Sequence, residues 1–237
     1  MKLSPSVTIE QSETGLEFIK VASEFCSATI FLQGAQITEF TPTDKKPLLW
    51  VSELEDYQEG KGVRGGIPIC WPWFGVSQHE GWPAHGVART SLWRAEEVKE
   101  QDDSIYISLS LPMTQVDEKY WPYKTKLLAE FILTSSLELR LTTTNLDNQT
   151  VQFTQALHTY FPTPAIEETK VDTSKIDEVI VGNILSAGQG QGVARQVALS
   201  SGLSNHTPAT TINMICGSGL KTIIMGAQSI KCEDNSV

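Results

Sequence analysis

The chain has 237 residues, 40% of them apolar and 19% charged, a composition that supports a packed globular core and argues against disorder. Lys and Arg total 18 against 28 Asp and Glu, a formal charge of -10, which runs against general binding to nucleic acid or anionic membrane because either polyanion is repelled. There is no run of 18 apolar residues and no apolar stretch in the N-terminal MKLSPSVTIEQSE, so neither a membrane helix nor a secretory signal is expected.

In chain order, period-2 alternation predicts strands over 16–23, 26–33, 36–41, 91–100, 104–111, 124–134, 137–142 and 151–161. Ile105, Ile107, Leu109 and Leu111 share one face, and Leu137, Leu139 and Leu141 alternate with Glu138, Arg140 and Thr142. Gly, Pro, Asn and Asp break the chain between these runs, and amphipathic helices are scarce. The expected fold class is all-β: an antiparallel β-sandwich forming one domain over 1–237, with 162–237 atypical. Cys26, Cys70, Cys216 and Cys232 form no CxxC and no Cys/His cluster. A metal site or disulfide framework is therefore not expected, and a reducing, cytoplasmic setting is.

Residues 64–93 read RGGIPICWPWFGVSQHEGWPAHGVARTSLW. They hold four of the six Trp, and Arg64 and Arg89 are two of only five Arg. The Pro and Gly content prevents a regular element and predicts a long, ordered, aromatic-lined loop, a kind of segment that is usually functional. Indole faces stack on sugars or bases, and paired guanidinium forks suit phosphate or carboxylate. The alternative is that the Trp and Pro residues plug the end of a sandwich while Arg64 and Arg89 form surface ion pairs.

Along 151–161, Val151, Phe153, Gln155, Leu157, Thr159 and Phe161 share one strand face, which reads as mainly core. Gln152, Thr154, Ala156, His158 and Tyr160 share the other. An imidazole on that more polar face can move protons near neutral pH, although a lone His is also a common structural residue.

Arg64-Gly-Gly-Ile-Pro-Ile-Cys-Trp-Pro-Trp-Phe-Gly75, Pro83-Ala-His-Gly-Val-Ala-Arg89 with Trp93, and Ala156-Leu-His-Thr-Tyr-Phe161 resemble, in order, the motifs of the glucose-6-phosphate 1-epimerase family. These are the hexose-6-phosphate mutarotases of the aldose 1-epimerase superfamily. The resemblance covers about residues 15–161. It implies a galactose mutarotase-like sandwich, here with a shortened or divergent C-terminal part. It also implies a cytoplasmic monomer that interconverts the anomers of a hexose 6-phosphate without metal or organic cofactor, and without nucleic-acid or membrane partners. By position, His158 matches the general acid at the ring oxygen. Arg64 and Arg89 match the phosphate-binding arginines, and His85 lies in the substrate-contacting segment. Ala84 stands where family members often have Gln.

The C-terminal third departs from that pattern. All 6 Trp, 5 Tyr and 8 Phe lie at or before Phe161. The run 186–207 reads as a flexible or poorly packed loop before two late strands. The family's base is a Glu in a late VCVE segment after a WNPW-like stretch. Lys221–Ile230 stands in that place without Trp, Asn or Pro, and Cys232-Glu233 only faintly resembles the Glu motif. Glu233 is the candidate base, with Asp172 or Asp177 as substitutes that nothing in the sequence selects. If no carboxylate serves, the chain is a non-catalytic sugar-phosphate binder or a shortened isoform.

Overall fold

The computed structural model describes residues 4–162 and 172–236. The chain divides into two compact units, Met1–Thr163 and Pro164–Val237, where the sequence had suggested one domain.

The first unit is a sandwich of antiparallel sheets, as expected. Strands β1 (Val7–Gln11), β2 (Glu17–Ala22), β3 (Cys26–Phe31) and β4 (Gln36–Pro42) form one four-stranded sheet in the order β1-β2-β3-β4. Three of the four were legible as alternating runs, whereas β1 was not assigned. It pairs along its whole length with β2, from Val7 opposite Val21 to Gln11 opposite Glu17. A short strand β5 (Ile69–Cys70) follows. Then β6 (Arg94–Glu100), β7 (Ile105–Leu111), β8 (Thr125–Leu133) and β9 (Leu137–Asn145) make the second sheet in the order β6-β7-β8-β9.

Both sheets contribute to a single apolar core. Ile19, Val21, Ala28, Ile30, Ile37 and Phe40 from the first sheet join Ile105, Ile107, Leu109, Leu127, Ala129 and Phe131 from the second. In β8 the alternation is complete: Thr125, Leu127, Ala129, Phe131 and Leu133 point inward, as one buried face demands. Trp71 and Trp93 are also fully enclosed, so two of the loop's four indoles belong to the core.

The strand expected over 151–161 is regular only at β10 (Ala156–Leu157), which pairs antiparallel with β5. Its expected core face is largely open: Phe153, Leu157 and Phe161 are exposed, while Ala156, His158 and Tyr160 are half-buried. The alternation was read correctly, but the burial falls on the other face. At β9, the edge of its sheet, Leu137, Leu139 and Leu141 are likewise only half-covered. A period-2 pattern states which residues share a face, not whether another layer covers it.

The second unit has a different architecture. Strands β11 (Val179–Gly182) and β12 (Ala209–Ile212) pair in parallel. Helix α1 (Val193–Ser200) lies between them in the chain and α2 (Ser218–Lys231) follows. Parallel neighbours require such a crossover. The run 186–207, read as a loop, therefore contains a helix, whose Ala194 and Ala198 are fully buried. Lys221–Ile230, where a late strand had been expected, is helical. Both runs are rich in small and flexible residues, which weakened the amphipathic signal. The α1 face that packs is made of two alanines. Gly182 permits close packing, since a Cβ there would sit 2.7 Å from the Ser218 carbonyl carbon.

All six Trp lie between Trp50 and Trp121, so tryptophan fluorescence reports the first unit alone. The Phe131→Ala substitution opens a cavity at a fully buried position. It is expected to destabilise that unit by about 3–5 kcal/mol, read as a lower urea midpoint in the fluorescence-detected transition.

Candidate active site

The site is built on a backbone zipper. Pro68 and Gly66 accept hydrogen bonds from His158 N–H and Tyr160 N–H, at 3.0 and 2.8 Å, in line with the Ala156–Cys70 and Leu157–Ile69 register. The motif around His158 thus runs antiparallel beside the Gly-Gly-Ile-Pro segment. Gly66 is itself fixed to the first sheet. Its N–H donates to Trp50 O at 2.7 Å, and Ile67 N–H donates to Ile37 O at 2.9 Å. The side chain of fully buried Gln36 donates to Val63 O and Gly65 O, at 3.1 and 2.6 Å. Gly66 has φ +60, and a Cβ there would lie 2.2 Å from Ile37 O, so only glycine fits.

A second close approach sets the other half. Trp71 O accepts from Val87 N–H at 2.9 Å and Ala88 N–H at 3.2 Å. Gly86 has φ +73, and an added Cβ would stand 2.0 Å from that same oxygen. On one side of it, His85 occupies left-handed backbone at φ 65, an uncommon conformation for a residue with a side chain. Two bonds hold it there: His85 N–H donates to Gly75 O at 2.7 Å, and Gly75 N–H donates to His85 Nδ1 at 3.1 Å. Because Nδ1 accepts, neutral His85 carries its proton on Nε2 and presents a donor.

On the other side of Gly86, Arg89 donates from Nη2 to Ala84 O at 2.9 Å. Its Nε is buried without a protein partner, as is Nδ1 of His158. Buried polar atoms are seldom left unpaired, so each is suited to a ligand. The two imidazoles face each other edge to face, with centroids 6.1 Å apart. Phe74 lies 5.0 Å from His85 and 6.3 Å from His158, and Tyr160 lies 4.9 Å from His158. Burial, then the charges of Arg89 and His158, hold the His85 pKa below its ordinary 6.5.

His85, Arg89 and His158 are therefore brought together. Arg64 is on the same backbone framework but has an exposed side chain. Its N–H donates to Glu55 Oε2 at 2.7 Å and its carbonyl accepts from Ser52 N–H. No contact joins its guanidinium to the imidazole pair. Among the described residues neither Arg64 nor Arg89 forms an ion pair, so the surface-ion-pair alternative does not hold. Glu233 lies just past α2 in the second unit, exposed, at φ 62. Asp172 caps the turn Thr173–Lys175, and Asp177 accepts from Ser236. Among the described residues no carboxylate hydrogen-bonds to His85 or His158. A lone Gln in an apolar strand carries no signal, so Gln36 is not legible as a site residue from sequence; Phe74 and Tyr160 stand within the motifs with nothing to mark their part in the site.

A family model described as aldose 1-epimerase matches residues 17–191, and the chain belongs to that family. It is 33% identical over 170 residues to a Salmonella typhimurium protein named "Putative glucose-6-phosphate 1-epimerase", covering 72% of this chain and 56% of that one. The crystal structure of a Salmonella typhimurium mutarotase-type protein superposes with a TM-score of 0.57 at 33% identity, covering 60% of this chain and 48% of the other. The chain thus spans about half the length of the curated epimerase relatives it matches. It is also 58% identical over 69 residues to the acetyl-CoA acetyltransferase of Saccharomyces cerevisiae, covering 29% of this chain and 17% of that enzyme.

Gly86→Ala is expected to displace the 71–89 loop and abolish the His85–Gly75 bonds, visible as loss of the corresponding amide protection in hydrogen exchange. A His whose folded pKa is depressed binds its proton more readily when unfolded. Its contribution is intact above about pH 6.5 and is lost as pH falls through the folded value. Denaturant midpoints measured between pH 8 and 5 should fall on the acid side, with a smaller decline in His85→Asn.

Proposed function

We propose that the first unit binds a hexose 6-phosphate and interconverts its α and β anomers by acid/base ring opening. The observation that carries this reading is that Arg89 and His158 both lie near His85, the first with an unpartnered guanidinium nitrogen and the second with an unpartnered imidazole nitrogen. The reaction requires a donor to the ring oxygen as the hemiacetal opens and an acceptor for the anomeric hydroxyl proton. In this proposal His158 gives a proton to the ring oxygen as the ring C–O bond breaks, solvent water takes the anomeric hydroxyl proton, and both transfers reverse when the ring closes on the other face. Neutral His85 donates from Nε2 to a sugar hydroxyl. Arg89, with Arg64 swinging in from the exposed side, holds the phosphate, for which two guanidinium forks supply several charge-assisted bonds. The family membership and the epimerase relatives support sugar anomer chemistry.

Glu233 carries the base assignment only through the faint Cys232-Glu233 likeness. Glu233 belongs to the other unit, and the proposed reaction gives it no proton. This favours a second reading, in which the unit holds a sugar phosphate without turning it over. We also infer kinship of the second unit with acetyl-CoA acetyltransferases, carried by 58% identity over 69 residues. The inference stops at kinship, because that match spans 17% of the relative.

The readings separate in one experiment. Freshly dissolved α-glucose 6-phosphate is followed as it relaxes, using a dehydrogenase specific for the β anomer. Faster relaxation with the protein, reduced about 10²–10⁴-fold in His158→Asn, supports catalysis. A rate equal to buffer, together with calorimetric binding of glucose 6-phosphate that Arg89→Ala weakens, supports the binder. Equal affinity for glucose and glucose 6-phosphate would sink both.

A further inference from the structure

Beside the imidazole pair lies a cleft of about 1000 Å³ that the sugar-phosphate reading does not use. Its walls are aromatic. Trp82 lies 5.2 Å from Trp73, 4.2 Å from the His79 ring and 5.1 Å from Tyr120, to which it is perpendicular. Trp73 is oriented by donation from its indole Nε1 to Pro83 O at 2.9 Å. None of Arg64, His85, Arg89 or His158 lines this cleft, but Phe74 does, and Phe74 also packs against both imidazoles.

Several polar groups at the cleft are amides and hydroxyls. Gln78 and Gln152 have no hydrogen-bond partner among the described residues, and the Thr154 hydroxyl accepts from Phe74 N–H while keeping its own proton to donate. Among the described residues no carboxylate lines it. Lys119 at its wall is taken by Asp117 at 2.9 Å and lies 4.5 Å above the Tyr120 ring. The ligand that fits is uncharged, has flat apolar faces for the rings, and carries hydroxyls for unengaged amides. Size and lining are those of a small-molecule site.

We propose that the Trp73–Trp82–Tyr120 cleft binds a neutral sugar ring, at a site adjoining but separate from the Arg89–His158 centre. The two sites share the segments 72–85 and 151–158, with Phe74 as their common wall. The proposal does not depend on the sugar-phosphate reading, because its ligand carries no phosphate.

The test is a titration of the full-length, ¹⁵N-labelled chain with maltose, following the tryptophan indole N–H resonances. Saturable shifts are expected for Trp73 and Trp82. Trp71 and Trp93, at 0% and 2% exposure, should not move. Trp82→Ala is expected to weaken maltose about tenfold or more, while leaving glucose 6-phosphate binding as in the native chain. Gln152→Ala, an exposed position, is expected to weaken maltose a few-fold. Absence of a saturable shift in the native chain overturns the proposal, as does undiminished maltose binding in a folded Trp82→Ala chain. Should Trp82→Ala not fold, the native titration and Gln152→Ala decide: undiminished affinity in the latter overturns the amide contact and with it the site.

Discussion

The first unit depends on one antiparallel contact: the backbone of 156–160 laid against that of 66–70. It is made of few hydrogen bonds, yet it joins segments about ninety residues apart. It carries His158 to the loop that bears Arg64 and, through Trp71 and Gly86, to His85 and Arg89. The contact is itself anchored to the first sheet by Gln36 and by the Ile37–Ile67 bond. Every chemical group in the candidate site is therefore referred to the same core, which is what holding imidazoles in fixed relation requires.

Glycine determines how closely these segments can run. At Gly66 and Gly86 a carbonyl oxygen occupies the space where a Cβ would be. The loop between them is dense with aromatic rings whose roles differ. Trp71 and Trp93 are core residues; Trp73 and Trp82 line an open cleft. The indoles of this loop thus divide between the core and an open cleft. The electrostatics are equally local. The net charge of the chain is -10, yet the neighbours of His85 are a guanidinium and a second imidazole. A pocket's potential follows its nearest groups more than the whole-molecule charge.

The two units contrast in how they bury surface. The first encloses a continuous core between sheets, though it leaves Phe153, Leu157 and Phe161 open along one edge. The second is a parallel strand pair with two helices, and exposes Leu185, Ile215 and Ile223. The chain spans about half the length of the epimerase relatives it matches and less than a fifth of the acetyl-CoA acetyltransferase.

The sequence by itself determined the sandwich, most of its strands and the family, because a period of two and an ordered set of Gly, Pro, Trp, Arg and His motifs survive in one dimension. It also marked where the pattern stops, through the loss of every aromatic after Phe161. Only the tertiary structure decided which face of 151–161 is covered, that Arg64 stands exposed while Arg89 joins the imidazoles, and that 193–200 and 218–231 are helices. Those outcomes depend on what lies across from each segment. Burial, electrostatic coupling and the packing of two small alanines are properties of neighbours in space, which local residue order does not specify.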